Sequence, residues 1–205
     1  MDKIAPADRA QNGPFDVAEI GTLTPYLDFG SIRLAPRQGM QIRADMDDAT
    51  KKVVALTIEI QEHRLQLQAF AATKSEGLWS QTIEALERGI TAQGGSMSIV
   101  DGALGPELRG TVLAKSGDNQ VSRPTRFLGV DGPRWFLRAV ISSNQFDEAV
   151  REAQSSSSRH QVRAVDVRVT MCRGVGVHVV SDSKARPATL SMQQCQVTHN
   201  RTTGI

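Results

Sequence analysis

Short runs of alternating apolar and polar residues follow one another along the first two thirds of the chain. Residues 40–46 alternate strictly, a period of two that predicts a strand with one buried and one solvated face. Residues 52–60 are rich in β-branched side chains, which is typical of a central strand, and residues 65–69 alternate again. Separated by short polar turns, these segments predict an antiparallel meander.

One segment has the period of a helix instead. Four large apolar residues recur at the spacing of a single helical stripe, with polar residues between them: Trp79, Ile83, Leu86 and Ile90. Ser75 is the expected N-cap, and Gly94-Gly95 supplies the left-handed conformation in which helices often end. The pattern predicts one amphipathic helix over residues 76–93.

Strand-like segments resume after the helix, at residues 97–100, 107–114, 126–130 and 135–141. Asp131-Gly132, between the last two segments, is a strong signal for a two-residue hairpin turn. A turn centred there places Phe127 opposite Phe136. Together the segments predict an α+β fold, in which one main helix packs on a mostly antiparallel β-sheet of about eight strands.

Three regions of the chain differ in composition. Residues 1–13 are polar and end at a Gly-Pro breaker, and we interpret them as a flexible leader. Residues 14–145 have the balance of apolar and charged residues of one globular domain, long enough to fold without a disulfide or a metal. Residues 146–205 form an atypical basic tail.

The charge is divided unevenly along the chain. Residues 151–205 carry eight Lys or Arg against three Asp or Glu, a net charge of +5, and since the whole chain is +2, residues 1–150 carry −3. Both cysteines and three of the four histidines also lie in the tail. An acidic domain opposes generic nucleic-acid binding, which depends on neutralising phosphates.

The sequence does not predict a membrane protein. It contains no stretch of about 18 uncharged apolar residues, which a transmembrane helix needs. Its first residues also lack the apolar core of a secretory signal. We therefore expect a cytoplasmic protein that does not bind a membrane.

Few residues are candidates for catalysis or metal binding. The chain has no glycine-rich phosphate loop, no dinucleotide-binding motif and no zinc-protease motif. Two cysteines and two histidines of the tail have a spacing that matches no compact zinc site: Cys172, His178, Cys195 and His199. We therefore predict no catalytic residue, no cofactor and no metal ion.

The best candidate for binding is one face of the last predicted hairpin. Phe127 and Phe136 share this face with Arg134 and Arg138. Aromatic rings next to arginines can stack on nucleobases and hold phosphates. The alternative, which we favour, is that another segment covers the two phenylalanines and leaves the arginines at the rim.

Several stretches of the sequence carry a family resemblance. They run in order from GPFDVAEI, which starts at Gly13, through GLWSQTIEALERGITAQGG to RFLGVDGPRWFLRAVI, which ends at Ile141. Over residues 13–141 the chain resembles the actinobacterial "domain of unknown function 3710" family. The resemblance implies no activity, ligand or catalytic residue.

The tail departs from the valine-rich and proline-rich end that the resemblance implies. Residues 155–158 are serines, and in GC-rich DNA a run of valine codons read one base out of register becomes serine codons. One explanation is a change of reading frame near Gln154. The other is a disordered basic tail.

Three classes of function are open on this basis. We favour a non-enzymatic domain that binds a protein partner or a second copy of itself. The first alternative is the binding of nucleic acid or nucleotides through Arg134, Phe136 and Arg138. The second alternative is an enzyme whose site uses scattered carboxylates and arginines.

Overall fold

The computed structural model describes residues 1–19, 26–36, 38–60, 63–116, 119–143 and 177–179. Within these ranges lie two α-helices, α1 (Arg9–Asn12) and α2 (Trp79–Ala92), and one 3-10 turn (Val17–Glu19). The strands, in chain order, are β1 (Phe15–Asp16), β2 (Leu27–Asp28), β3 (Ile32–Leu34), β4 (Gln41–Met46), β5 (Val53–Ile60), β6 (His63–Ala71), β7 (Ser96–Gly102), β8 (Gly105–Ser116), β9 (Asn119–Asp131), β10 (Trp135–Ser143) and β11 (Val177–Val179).

These strands form two sheets. Seven of them pair in the order β4-β5-β6-β10-β9-β8-β7, and every neighbouring pair is antiparallel. Two meanders, β4 to β6 and β7 to β10, are joined where β10 pairs with β6. The remaining strands form a small sheet in the order β1-β11-β3-β2. The predicted α+β fold, a mostly antiparallel sheet with one main helix, is confirmed.

The large sheet has a core on each face. On one face α2 packs against β7, β8 and β9, over a core formed by Trp79, Ile83, Leu86, Met97, Leu108, Phe127 and Phe136. On the other face Ile32 and Leu34 of the small sheet pack against apolar residues of β5, β6, β9 and β10. The alternation of apolar side chains along the central strands supplies both cores, since successive residues point to opposite faces.

The amphipathic stripe predicts α2 correctly but not its first residue. Ile83 and Leu86 are buried against the sheet, as the stripe requires. The helix begins at Trp79 rather than near residue 76, and its N-cap position is Leu78, so Ser75 does not cap it. The residues after the helix include a glycine in the left-handed conformation, as predicted for the helix end.

The last hairpin turns later than predicted. Asp131 pairs with Phe136 within the ladder, so the turn lies at residues 132–135 and not at the Asp-Gly pair. Phe127 consequently lies opposite Val140, and the predicted pairing of Phe127 with Phe136 is wrong. Because the ladder is displaced by an even number of residues, each side chain keeps the face that the alternation predicted.

The first residues of the chain, which we interpreted as part of a flexible leader, form hydrogen bonds with this hairpin. The Ile4 N–H donates to the Asp131 carboxylate at 3.0 Å, and the Ile4 carbonyl accepts from the Asp131 N–H at 2.8 Å. The Lys3 ammonium donates to the carbonyl oxygens of Gly132 and Pro133. Burial lowers the pKa of Lys3, although the charge of Asp131 opposes this shift.

Of the predicted tail, only Val177–Val179 lies within the described ranges. It forms β11, which pairs in parallel with β1 and antiparallel with β3. This part of the tail is therefore a strand of the small sheet. The rest of residues 146–205, with both cysteines and the run of serines, lies outside the described residues.

Candidate interaction surface

Two of the four predicted binding residues lie beneath α2. Phe127 is 4% exposed and Phe136 is fully buried. The Phe136 ring stacks on both Trp79 and Phe70, with ring centroids 6.0 and 5.8 Å apart. Gly129 makes room for the helix, since a Cβ there would lie 2.2 Å from the Trp79 ring. The helix therefore covers both phenylalanines.

The two arginines of the predicted face are separated. Arg134 is exposed in the hairpin turn. Arg138 is buried on the sheet, where its guanidinium donates to the Gln68 side-chain oxygen and lies 5.6 Å from the centroid of the Phe70 ring. Gln68 stands directly opposite Arg138 in the β6–β10 ladder. The structure thus does not bring the four residues together at one exposed surface.

A buried ion pair joins β8 to β9 on the sheet face away from α2. Glu107 is 1% exposed, and both of its carboxylate oxygens accept hydrogen bonds from the Arg126 guanidinium at 2.8 Å. The Arg109 guanidinium also donates to this carboxylate. Gly102 lies against the Glu107 carboxylate, so closely that a Cβ at this position would be 2.4 Å from Glu107 Oε2. The carboxylate is fully engaged in holding two strands together.

The other buried carboxylates of the described residues also have structural partners. Asp16 accepts a hydrogen bond from the Trp135 indole N–H at 3.0 Å. Asp131 accepts one from the Leu78 N–H at 2.8 Å and lies 3.4 Å from the Trp79 nitrogen, at the start of α2. Each of the three buried carboxylates of the described residues is therefore held in a separate structural contact.

A small apolar cavity lies between the large sheet and Pro14. Its volume is ≈ 20 Å³, and it is lined by Pro14, Leu67, Leu104, Leu128, Val130, Leu137 and Ala139. This volume holds about one water molecule, whereas small-molecule pockets start at about 300 Å³. Among the described residues, no three His, Cys, Asp or Glu form a metal cluster, and no helix is long and apolar enough to cross a membrane.

One buried side-chain oxygen in the described part of the chain lacks a hydrogen-bond partner. It is Thr57 Oγ1, on the same sheet face as α2, between Arg43 of β4 and Gln66 of β6 in the two ladders. Thr57 is only 2% exposed. In this arrangement its hydroxyl is out of reach of a ligand in solution.

One edge of the large sheet has no neighbouring strand among the residues that the structure describes. β7 is an edge of the seven-stranded sheet among the described strands. Its seven residues pair with β8 without a bulge, and none of them is Lys, Arg or Pro. Ile99, at the centre of β7, is 43% exposed. An edge of this kind offers unpaired backbone groups to a further strand.

The opposite edge of the sheet is better protected. β4 carries Arg43 and Asp45, and its pairing with β5 shifts register between Asp45 and Met46. Charged side chains and bulges are two common means by which proteins block the addition of a strand. Of the two edges, β7 is therefore the one at which a further strand fits best.

A proline in β8 fixes the direction of the backbone groups of β7. In an antiparallel ladder, pairs that exchange two hydrogen bonds alternate with pairs that exchange none. Asp101 pairs with Pro106, which has no N–H and whose carbonyl accepts from the Trp79 indole N–H, so we assign this pair to those that exchange none. By alternation the same holds for Ile99 and for Met97. The N–H and C=O groups of these three residues therefore point away from β8.

The sequence predicted a strand at residues 97–100 but not its position in the sheet. The second meander runs from β7 to β10 and joins the first through the pairing of β10 with β6. Its other end, β7, is therefore the edge strand. This long-range pairing leaves no local trace in the sequence. The one sequence feature that relates to this edge is the absence of charged residues from residues 96–100.

Comparison with known families gives one match. The family model described as "Protein of unknown function (DUF3710)" matches residues 13–183. The match continues past Ile141, where the resemblance in the sequence ends, and past Gln154, and it includes β11. No curated protein matches the chain.

Two solved structures have a distant similarity to the fold. A crystal structure from Bacteroides thetaiotaomicron VPI-5482 is 9% identical with a TM-score of 0.34; the match covers 55% of this chain and 38% of that one. The solution structure of cyanobacterial PsbP (CyanoP) from Synechocystis sp. PCC 6803 is 8% identical with a TM-score of 0.36, and the match covers 78% of this chain and 96% of that one. At these TM-scores neither similarity bears on function.

Proposed function

The chain belongs to the DUF3710 family of proteins of unknown function, and we propose that it is a protein-interaction domain. The partner is a protein segment in extended conformation, which adds to the large sheet as a further strand along β7. Strand addition of this kind obtains affinity from main-chain hydrogen bonds and specificity from alternate side chains.

The observation that carries the proposal is the edge of β7, which has no neighbouring strand in the described part of the chain. Met97, Ile99 and Asp101 direct their N–H and C=O groups away from β8, so they offer a partner six hydrogen-bonding groups in one row. The exposed Ile99 side chain stands in the middle of this row. A partner strand would satisfy the backbone groups and cover the isoleucine in one step.

The neighbouring elements hold the edge in the extended conformation. Met97 is buried in the core beneath α2, next to Leu108 of β8. β7 pairs with β8 along its whole length. A strand that is already ordered loses little conformational entropy when a partner binds, which favours association.

The side chains of β7 define which partner segment fits. Ile99 and Asp101 lie on the α2 face of the sheet, whereas Ser98 and Val100 lie on the other face. A suitable partner places an apolar side chain opposite Ile99 and no acidic side chain opposite Asp101.

Site-specific photocrosslinking tests the proposal in the full chain. A photoreactive amino acid replaces Ile99 in one protein and Met46, which is 56% exposed on the β4 edge, in a matched control. Both proteins are expressed in the native host and irradiated, and cross-linked products are identified by mass spectrometry. We expect position 99 to cross-link to a protein segment, whether from another protein or from a second copy, and position 46 not to do so.

Two lysine variants distinguish cross-links that come from specific strand pairing from cross-links that come from random collisions. Ile99→Lys places a charge in the centre of the edge, and cross-linking through a probe at Asp101 should then disappear. Met46→Lys makes the same change at the other edge and should have no effect. Absence of cross-links at position 99, or equal cross-linking at 46 and 99, would overturn the proposed function.

A further inference from the structure

We infer that the strand that pairs with β7 is β7 of a second copy of this chain, so that two large sheets join edge to edge. The inference rests on the proposed function and names its partner. It follows from the length of β7, from the direction of its backbone groups and from its charges.

One register of two antiparallel β7 strands uses all the outward groups. In such a pair, each of Met97, Ile99 and Asp101 must lie opposite an outward residue of the other copy. With Ile99 opposite Ile99 of the second copy, Met97 lies opposite Asp101, and Asp101 opposite Met97. A shift of the register by two residues leaves at least one outward residue on each strand without a partner.

This register is symmetric. Ile99 is the central residue of Ser96–Gly102, so a two-fold axis beside it relates the two strands and makes the contact the same for both copies. Closed two-fold dimers of this kind are the commonest oligomers, and they do not propagate into fibres. The edge is thus self-complementary over its full length.

The charges of β7 agree with self-pairing. Asp101 is the only charged residue of the strand, and in this register it lies opposite Met97 and not opposite another Asp101. Like charges placed directly opposite each other would destabilise the pair. The two Ile99 side chains lie side by side on the α2 face and remove apolar surface from water.

Helix α2 extends the contact beyond the two strands. It packs over β7, so in the dimer the two helices lie on the same face of the joined sheet, one on each side of the Ile99 pair. The core beneath each helix reaches the edge through Met97. The joined sheet therefore carries one continuous apolar strip across the two-fold axis.

Sedimentation equilibrium of the purified full chain tests the inference. We expect a monomer–dimer equilibrium in the wild type. Ile99→Lys brings two ammonium groups together at the axis and should raise the dissociation constant by about tenfold or more. Met46→Lys, with the same change of charge on β4, should leave the dissociation constant unchanged. Circular dichroism checks that both variants are folded.

Disulfide trapping gives a readout that does not depend on the stability of a lysine variant. In a Cys172→Ser/Cys195→Ser background, Ile99→Cys places two thiols opposite each other across the axis. Hydrogen-bonded antiparallel pairs have Cα atoms about 5.5 Å apart, which a disulfide can span. We expect a covalent dimer on mild oxidation, and none from Val54→Cys, a control at a side chain that is 49% exposed on β5.

A wild-type chain that stays monomeric at high concentration and gives no disulfide at position 99 would overturn the inference. The photocrosslinking experiment distinguishes this outcome from failure of the proposed function. Cross-links from position 99 to a different protein would leave strand addition standing with another partner. An absence of any cross-link from position 99 would remove both.

Discussion

The carboxylate of Asp131 accepts a hydrogen bond from the backbone N–H of Leu78 at 2.8 Å, and so caps α2 from a strand 53 positions away along the chain. The same carboxylate accepts the N–H of Ile4 at 3.0 Å. One buried side chain thus fastens the helix, the last hairpin and the first residues of the chain to each other.

Replacing Asp131 should loosen all three elements together. Loss of a helix cap costs about 0.5–2 kcal/mol, and a buried N–H left without a partner costs about 1–3 kcal/mol. We expect Asp131→Ala to lower the free energy of unfolding by about 3 kcal/mol. Asp131→Asn, which keeps one acceptor oxygen, should lose less. Urea unfolding followed by tryptophan fluorescence measures both, and equal losses would contradict this role of the carboxylate.

Two glycines near α2 should respond to alanine in opposite directions. A Cβ on Gly129 would lie 2.2 Å from the Trp79 ring, whereas a Cβ on Gly89, within the helix, would meet no atom within 4 Å. We expect Gly129→Ala to destabilise the protein by about 1–3 kcal/mol through overpacking. Gly89→Ala should stabilise it by up to about 1 kcal/mol through helix propensity. Thermal unfolding measures the stability of both variants. An unchanged stability of Gly129→Ala would show that Trp79 of α2 does not pack tightly against β9.

Removing one member of the Glu107–Arg126 pair should lower the free energy of unfolding more than replacing both members with apolar residues. Removal of one member of a buried ion pair typically costs about 3–5 kcal/mol, because the other charge stays buried without compensation. We expect a loss of this order for Glu107→Leu, which leaves the buried Arg126 guanidinium without its carboxylate. Arg126→Met should cost less, because Arg109 still donates to Glu107, and the double variant should cost less than the sum of the two single losses. A double-mutant cycle from urea unfolding measures the coupling. If the loss in the double variant equals the sum of the two single losses, the two side chains do not stabilise each other.

Stability should fall in acid partly through the contact of Arg9 with Glu19. The Arg9 guanidinium donates to the Glu19 carboxylate at 2.6 and 2.7 Å, and these hydrogen bonds lower the pKa of Glu19. A carboxyl whose folded pKa is lowered stabilises the protein above its ordinary pKa of about 4.3, and this contribution disappears as the pH falls through the lowered value.

Glu19→Gln should therefore be less stable than the wild type at neutral pH, by at most about 1 kcal/mol because the pair is partly solvated. The difference should shrink as the pH falls below about 4. Arg9→Gln should show the same pH dependence, and the double variant should add nothing to it. A difference that stays constant across this pH range would exclude the ionised pair as its source.

The sequence was most informative where local periodicity decides the structure. The stripe of Ile83 and Leu86 identified α2 and its buried face, because helical spacing alone determines which side chains share a face. The helix start was less predictable. Its capping group is Asp131, which no local pattern around Ser75 can reveal.

The last hairpin shows how a tertiary contact can override a local turn signal. Asp131-Gly132 favours a tight turn, but the Asp131 carboxylate binds α2, and Gly132 packs against Trp135, where a Cβ would lie 2.1 Å from the ring. The turn forms later for this reason. The faces of Phe127 and Phe136 were nevertheless predicted correctly, because alternation survives an even displacement.

The candidate site was the least predictable part. Alternation showed that Phe127 and Phe136 share a face, but not that α2 covers it. Whether β7 is central or at an edge depends on the pairing of β10 with β6, which joins segments far apart in the chain. An edge can be recognised only once the whole strand order is known.

Amide hydrogen exchange of the purified full chain, at low and high protein concentration, measures whether β7 pairs with a second copy. We expect the amides of Met97, Ile99 and Asp101, which point away from β8, to become more protected as the concentration rises. The amides of Ser98 and Val100, which bond to β8, should be protected at every concentration. Rapid exchange of the Ile99 amide that does not change with concentration would contradict the claim that β7 binds a second copy.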